Sequence, residues 1–267
     1  MPGIQALVAR PMRCFYVENL PEQPGATVTL SQELQHHLLR VLRLEPGAEV
    51  RLFNGHGGYA DTLLLTDGRV QVCRFAMMAA PACRITLIQG LPKGDKTELI
   101  LQKGTELGAD NFILTPMAHC VMRLKSPDRQ LQRWSKVIQE AARQCRQYRL
   151  PRLQLATSFV DALKQGADAD VKLLLWEQAC QSFVPFGVYK APQQIAVVVG
   201  PEGGIRDDEL KVATELGYQP VGLGPRILRT ETAGLAIISI LQYLYGDMTQ
   251  AAEFSTGRRD CVERTES

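Results

Sequence analysis

From Arg84 to Tyr245 short apolar runs alternate with amphipathic segments, and this alternation limits the possible folds more than any other property of the chain. The spacing predicts strands over 85–91, 112–115, 171–176, 195–199 and 221–223. It predicts helices over 97–107, ended by Gly108, from about 127 to 146, over 206–216 and over 230–245. Asp207 and Asp208 fall in the first turn of the 206–216 helix, where acidic groups complement its dipole, and Gly217 follows it. Strands that are apolar throughout and separated by helices imply an α/β fold, a parallel sheet covered by helices.

The preceding residues follow another rule. Short segments over 13–17, 27–30, 49–53, 59–65 and 70–75 are separated by Gly, Pro and Asp turns and read as strands. One helix interrupts them, with Ser31 as its N-cap and Leu34, Leu38, Leu39 and Leu42 at helical spacing. Five strands and one helix in so short a stretch imply a small barrel over 12–80, with Ala79-Ala80-Pro81-Ala82 as the linker to an α/β domain over 83–248. Residues 249–267 are polar and aperiodic and read as a disordered tail, and residues 1–11 as a similar extension.

Two turns follow apolar runs and lead into amphipathic segments: Gly200-Pro201-Glu202-Gly203-Gly204, and Leu223-Gly224-Pro225-Arg226-Ile227-Leu228-Arg229-Thr230-Glu231-Thr232-Ala233. In open α/β sheets ligands bind where strands end, and glycine lets the backbone approach them closely. The first turn lacks both Gly-x-Gly-x-x-Gly spacing and a Gly-Lys-Ser/Thr ending, which argues against a dinucleotide or triphosphate. Its plainer reading is a strand-to-helix turn. Glu202 has no basic neighbour in sequence and is expected to face solvent or a polar ligand. The second turn is more specific. A helix start needs one cap, which Thr230 can supply, but not two arginines and a carboxylate within six residues.

No run of eighteen apolar residues exists, so no membrane helix is expected, and residues 1–13 are too short and too weakly apolar for a secretory signal. The seven cysteines, Cys14, Cys73, Cys83, Cys120, Cys145, Cys180 and Cys261, are scattered without a C-x-x-C pair. That argues against a disulfide framework and a zinc site and fits a cytoplasmic protein. Net charge is only +2, yet residues 123–152 carry nine basic groups against Asp128 and Glu140. Such an excess implies an anionic partner, with nucleic acid the leading candidate and a solvated helix face the plainer reading.

Four stretches resemble the RsmE group of SPOUT-class RNA methyltransferases. They are His37-Leu38-Leu39-Arg40-Val41-Leu42-Arg43 with Gly47 beyond, Gln102-Lys103-Gly104-Thr105-Glu106-Leu107-Gly108, and the two turns above. Gln139-Glu140-Ala141-Ala142-Arg143-Gln144-Cys145 is similar to the group's long-helix motif, although Arg146-Gln147-Tyr148-Arg149 lacks the glycine expected after it. The motifs occur in family order between about Met12 and Met248.

The resemblance implies a PUA-like β-barrel that binds RNA, then a SPOUT methyltransferase domain with a C-terminal trefoil knot, in a homodimer. The implied reaction is S-adenosylmethionine-dependent methylation of uridine N3 in 16S ribosomal RNA of the 30S subunit, without a metal. Leu175, Trp176 and Glu177, then Val199, Gly200, Gly203 and Gly204, then Leu223, Gly224, Ile227, Leu228 and Thr230 are expected to hold the cofactor. Uridine N3 must lose a proton before it attacks. Arg229 is expected to stabilise the resulting anion, with Glu231 or Glu202 accepting the proton or orienting Arg229. His37, Arg40, Arg43, Arg123, Arg143 and Arg146 are expected to contact RNA, and Lys93, Lys96 and Lys103 are given no catalytic part. Lys103 and Glu106, three apart on one helix, are expected to pair. A non-catalytic ribosome-assembly factor, or an enzyme acting on tRNA or a ribose hydroxyl, remains an alternative reading.

Overall fold

The computed structural model of the protein describes residues 12–121, 126–185 and 191–250. Arg123, the extension 1–11 and the tail from residue 251 lie outside the described residues. The described chain forms two compact units that divide between Ala79 and Ala80.

The first unit contains β1 (Cys14–Tyr16), β2 (Thr27–Val28), α1 (Gln32–His36), β3 (Glu49–Phe53), β4 (Gly58–Leu64) and β5 (Val70–Met77). The strands form one sheet in the order β1-β3-β4-β5-β2, antiparallel except for the parallel pair of β1 and β3. Alternate residues of β4, among them Ala60, Thr62 and Leu64, turn inward and meet Leu52 and Val72. Ser31 caps α1 by accepting the Leu34 N–H at 3.2 Å. The helix then widens into a π-helical turn, His37–Val41, closed by the Leu42 N–H on the His37 carbonyl at 2.9 Å. That widening buries Leu38 completely and leaves Leu39 and Arg40 exposed, a break in helical register that the spacing of the leucines does not show.

The second unit contains β6 (Arg84–Gly90), α2 (Lys96–Glu106), β7 (Asn111–Thr115), α3 (Pro127–Cys145), β8 (Arg152–Leu155), α4 (Phe159–Gln165), β9 (Val171–Leu175), β10 (Gln194–Val199), α5 (Asp207–Glu215), β11 (Gln219–Val221) and α6 (Thr230–Tyr245). Its six strands form a fully parallel sheet in the order β11-β9-β10-β6-β7-β8. Successive side chains point to opposite faces, which divides the core in two. Leu87, Phe112, Leu173 and Val197 face α2, α3 and α6, whose Ile100, Trp134, Ile237, Ile238 and Leu241 complete that layer. Ile88, Ile113, Leu174 and Val198 meet Phe159, Leu163 and Ala213 of α4 and α5. Each buried aliphatic side chain contributes about 1.5–3 kcal/mol, so both strand faces must be apolar, as the uninterrupted apolar runs require.

The elements β8 and α4 fall in a stretch to which the alternation assigns nothing. The last strand is Gln219–Val221 and includes Pro220, two residues earlier than its apolar character indicates. Arg146 ends α3 in the left-handed conformation, φ 62°, at the start of the stretch 146–149 in which a glycine was expected.

The sheet has a switch point. The path β6, β7, β8 grows outward on one side, whereas β10, β9 and β11 lie on the other. Loops leaving neighbouring strands in opposite directions open a crevice at the carboxyl ends of the strands.

Candidate active site

A pocket of about 510 Å³ lies at this end of the sheet, beside the carboxyl ends of β9, β10 and β11. Of the residues expected to hold cofactor or carry chemistry, all line it except Glu231. Lys96 also lines it, a residue that no motif marks.

The first turn, between β10 and α5, is braced from several sides. A Cβ at Gly203 would lie 2.6 Å from the Cβ of His119, and one at Gly200 would lie 2.7 Å from Cγ1 of Ile205. Pro201 packs so closely on β6 that a Cβ at Gly90 would come within 2.7 Å of its Cδ. Glu209, buried in the first turn of α5, accepts the Arg206 N–H at 3.1 Å and the Ala118 N–H at 2.8 Å. One carboxylate thus caps the helix and ties it to the loop after β7.

Glu202 does not face solvent alone, contrary to the expectation from its sequence neighbours. Its carboxylate accepts the Lys93 N–H at 3.0 Å and lies 2.9 Å from Lys96 Nζ. The partner comes from the start of α2, more than a hundred residues away, so local sequence could not show it. Burial pushes the Glu202 carboxyl upward, but the hydrogen bonds from Lys96 and the Lys93 backbone outweigh this and hold it below the ordinary glutamate value. The bond to Glu202, helped by Glu231, raises Lys96 in turn against a smaller opposing effect of burial. Glu231, with its side chain only 12% exposed, places Oε2 3.3 Å from the same ammonium. Lys96 therefore stands between two carboxylates at the edge of the pocket.

The second turn, between β11 and α6, is held mainly at its ends. Gly222 exchanges backbone bonds with Gln181 and Phe183 at 2.8 and 2.9 Å, and Trp176 donates its N–H to the Val221 carbonyl at 3.1 Å. At the far end Thr230 is not the N-cap, a position that Arg229 occupies without a side-chain cap bond. The Thr230 hydroxyl crosses instead to the Gly200 carbonyl at 2.6 Å and accepts Nε2 of Gln89 at 2.9 Å. Between these ends Arg226, Ile227 and Arg229 are exposed, Ile227 at 82%.

The residues expected at RNA lie elsewhere. In the first unit Arg40 and Arg43 are exposed, and the half-buried His37 ring meets Phe15 edge-on at 5.9 Å. In the second, Arg143 pairs with Glu140 at 2.7 Å on α3, and Lys103 pairs with Glu106 at 2.8 Å on α2 as their spacing indicated. Arg43 and Arg146 are the two non-glycine residues with positive φ among the described residues.

Comparison with known proteins gives this geometry a class. Residues 79–242 match the model of an RNA methyltransferase domain, and residues 30–62 match that of an RNA methyltransferase PUA domain. Curated ribosomal RNA small subunit methyltransferases E from Bacillus subtilis and Mycobacterium tuberculosis are 32% and 33% identical, over 87% and 86% of this chain and 96% and 91% of theirs. The chain belongs to the ribosomal RNA small subunit methyltransferase E family. A crystal structure of such an enzyme from Neisseria gonorrhoeae, bound to S-adenosylmethionine, superposes with a TM-score of 0.77 at 33% identity, covering 89% of this chain and all of that one. A putative methyltransferase from Legionella pneumophila in complex with the same cofactor gives 0.80 at 28% identity, over 89% of this chain and 99% of the other.

Proposed function

We propose that this protein methylates N3 of a uridine in 16S ribosomal RNA of the small subunit, with S-adenosylmethionine as donor. The observation that carries the reading is the gathering of Lys96, Glu202 and Arg229 around one pocket walled by two glycine-bearing turns, in a chain of this family. The donor set fits the cofactor. Backbone groups of the turns suit an adenine, Leu223 and Leu228 offer it an apolar wall, and acidic and basic side chains match an amino acid that also carries a sulfonium. When bound, the cofactor supplies an electrophilic methyl group. The protein's part is to align the uridine with it and to manage the N3 proton.

Glu202, held as a carboxylate by Lys96 and Lys93, is a weak proton acceptor and serves to fix the first turn. Glu231, outside the pocket lining and against Lys96, has a supporting part, while Arg229, exposed at the pocket, stabilises the negative charge that loss of the N3 proton leaves on the uracil ring. Residues 12–80 bring the RNA, with His37, Arg40 and Arg43 on its phosphates, and Arg143 and Arg146 of the domain over 83–248 contact RNA in their own right. Arg43 and Arg146 support this, because a left-handed arginine costs about 1 kcal/mol that glycine avoids. Such strain at a surface side chain points to a use for its guanidinium.

Ile240, Tyr243 and Leu244 turn outward from α6 and support a homodimer through that helix. Sedimentation of a Tyr243→Asp variant as a monomer, against a dimeric parent, is the expected outcome; an unchanged mass rules that surface out. Among the described residues no helix is long and apolar enough to cross a membrane, and a cytoplasmic enzyme working on 30S particles accords with this. The bonds of Gly222 between Gln181 and Phe183, followed by the return of α6 to β6 and β10, support a SPOUT-type trefoil knot. A threading step predicts refolding that stays slow with prolyl isomerase present, and rapid single-phase refolding excludes it.

The deciding experiment incubates the protein and methyl-labelled cofactor with small subunits from cells lacking this modification. Nucleoside mass spectrometry is expected to find 3-methyluridine at one 16S position. Methyl on a ribose or another base refutes the uridine assignment, and cofactor binding without transfer to subunits or free 16S RNA refutes the substrate.

A further inference from the structure

Gln89 lies outside the pocket and outside every motif that carries the family resemblance, yet it is the most connected polar side chain in the sheet. It is fully buried on β6, in a strand whose Ile85, Leu87 and Ile88 are buried aliphatics. Its Nε2 donates to the Gly90 carbonyl at 2.9 Å and to the Thr230 hydroxyl at 2.9 Å, with the Val199 and Gly200 carbonyls at 3.4 and 3.5 Å. The Thr230 hydroxyl has one proton and gives it to the Gly200 carbonyl at 2.6 Å. A single line of bonds thus runs from the end of β6 to the first residue of α6 and on to the first glycine of the 200–204 turn.

The other end of the amide shows what this arrangement costs. Gln89 Oε1 is buried and accepts no hydrogen bond, and a Cβ at Gly234 would stand 3.5 Å from it. Folding alone favours an apolar side chain here, since an aliphatic residue would fill the layer without leaving an orphaned carbonyl. What an aliphatic residue cannot do is donate to Thr230.

We propose that Gln89 and Thr230 form a buried clasp that sets the separation of the two pocket-forming turns, making Gln89 a positioning residue for cofactor binding. The inference rests on the function proposed above. Gly200 and Thr230 both line the pocket while Gln89 does not, so Gln89 reaches the ligand only through them. Without Gln89 the 200–204 turn keeps its other braces, but the Thr230 hydroxyl that reaches it loses the donor that orients it.

The test is calorimetric titration of S-adenosylmethionine into the intact protein and its variants Gln89→Met, Thr230→Val, Thr230→Ser and the Gln89→Met/Thr230→Val pair. Loss of one such bond weakens binding about tenfold. Both single replacements are expected to show that loss, the double replacement no more than either, and Thr230→Ser to bind like the parent, because residues acting through one line of bonds are not additive. In Gln89→Met the rate of methyl transfer at saturating cofactor is expected to stay within about threefold, the pattern of lost ground-state binding. Binding unchanged in Gln89→Met, or losses in the double variant that multiply, overturns the clasp. Should Gln89→Met fail to fold, Thr230→Ser against Thr230→Val decides, since loss in both makes the hydroxyl irrelevant. A parent protein that does not bind the cofactor overturns the functional reading instead.

Discussion

The two glycine-bearing turns resemble each other in sequence and differ in how they are held. The 200–204 turn is enclosed: His119 presses on Gly203, Ile205 fills the space at Gly200, Pro201 lies on Gly90, and Glu202 is bonded to Lys93 and Lys96. The 223–229 turn is fastened at Gly222 and Thr230, and between them a Cβ at Gly224 would meet nothing within 4 Å. A wall fixed before binding spares the ligand the cost of ordering it. A turn free in its middle can close on substrate and then release product. The enclosed turn therefore suits a preformed wall for the cofactor, and the freer one, which carries Arg229 beside Leu223 and Leu228, suits closure on what binds there.

The largest effect that can break this contrast is at Arg229. Arg229→Ala is expected to lower the single-turnover rate at saturating cofactor about 10²–10³-fold, the range for loss of an anion-stabilising group, with cofactor affinity nearly unchanged by calorimetry. Equal losses in both would move Arg229 to the binding side. Next comes Gly203→Ala, whose methyl must displace His119. Overpacking of this kind costs about 1–3 kcal/mol and is expected to appear as weaker cofactor binding and a lower melting temperature. Gly224→Ala meets open space, and only its left-handed φ of 80° is strained, at about 1 kcal/mol. A larger effect at Gly224 than at Gly203 would invert the assignment of rigid and adaptable turns.

Arg146 offers the opposite substitution at the same backbone conformation. Arg146→Gly is expected to raise thermal stability by about 1 kcal/mol while weakening RNA binding and reducing its salt slope by about one. The smallest effect concerns the Glu202 brace, a partly exposed pair worth under about 1 kcal/mol. Because its carboxyl titrates below the ordinary glutamate value, the brace is fully present above that value and is lost as pH falls through the depressed one. Hydrogen exchange at the Lys93 amide is expected to quicken over that acidic window, and Lys96→Met to move the window upward towards the ordinary glutamate value. Exchange that does not vary with pH, after correction for intrinsic rates, would show the turn is fixed by packing alone.

The general architecture was legible because burial on both strand faces imposes continuous apolar runs, and the ends of β3 and α6 fall where spacing put them. The segment containing β8 and α4 was not. Arg152–Leu155 is half-exposed at the sheet edge, and the seven-residue helix Phe159–Gln165 is too short to show a period, although its Ser158 cap was a readable signal. In the pocket, glycine marked both turns because close approach demands it. Lys96 and Gln89 were missed because their partners come from the far side of the sheet crossover, and sequence distance hides contacts made by topology. A polar Gln at the end of an apolar strand was the one visible sign of the second.

Pro220 on β11 has a consequence beyond the pocket. β11 is an outermost strand of the parallel sheet, three residues long, and its proline has no N–H to offer. An incoming strand would find that margin short and missing a donor, so the sheet resists growth from chain to chain there. The residue that spoiled the apolar pattern of the last strand thus works against strand addition from a second chain at that margin.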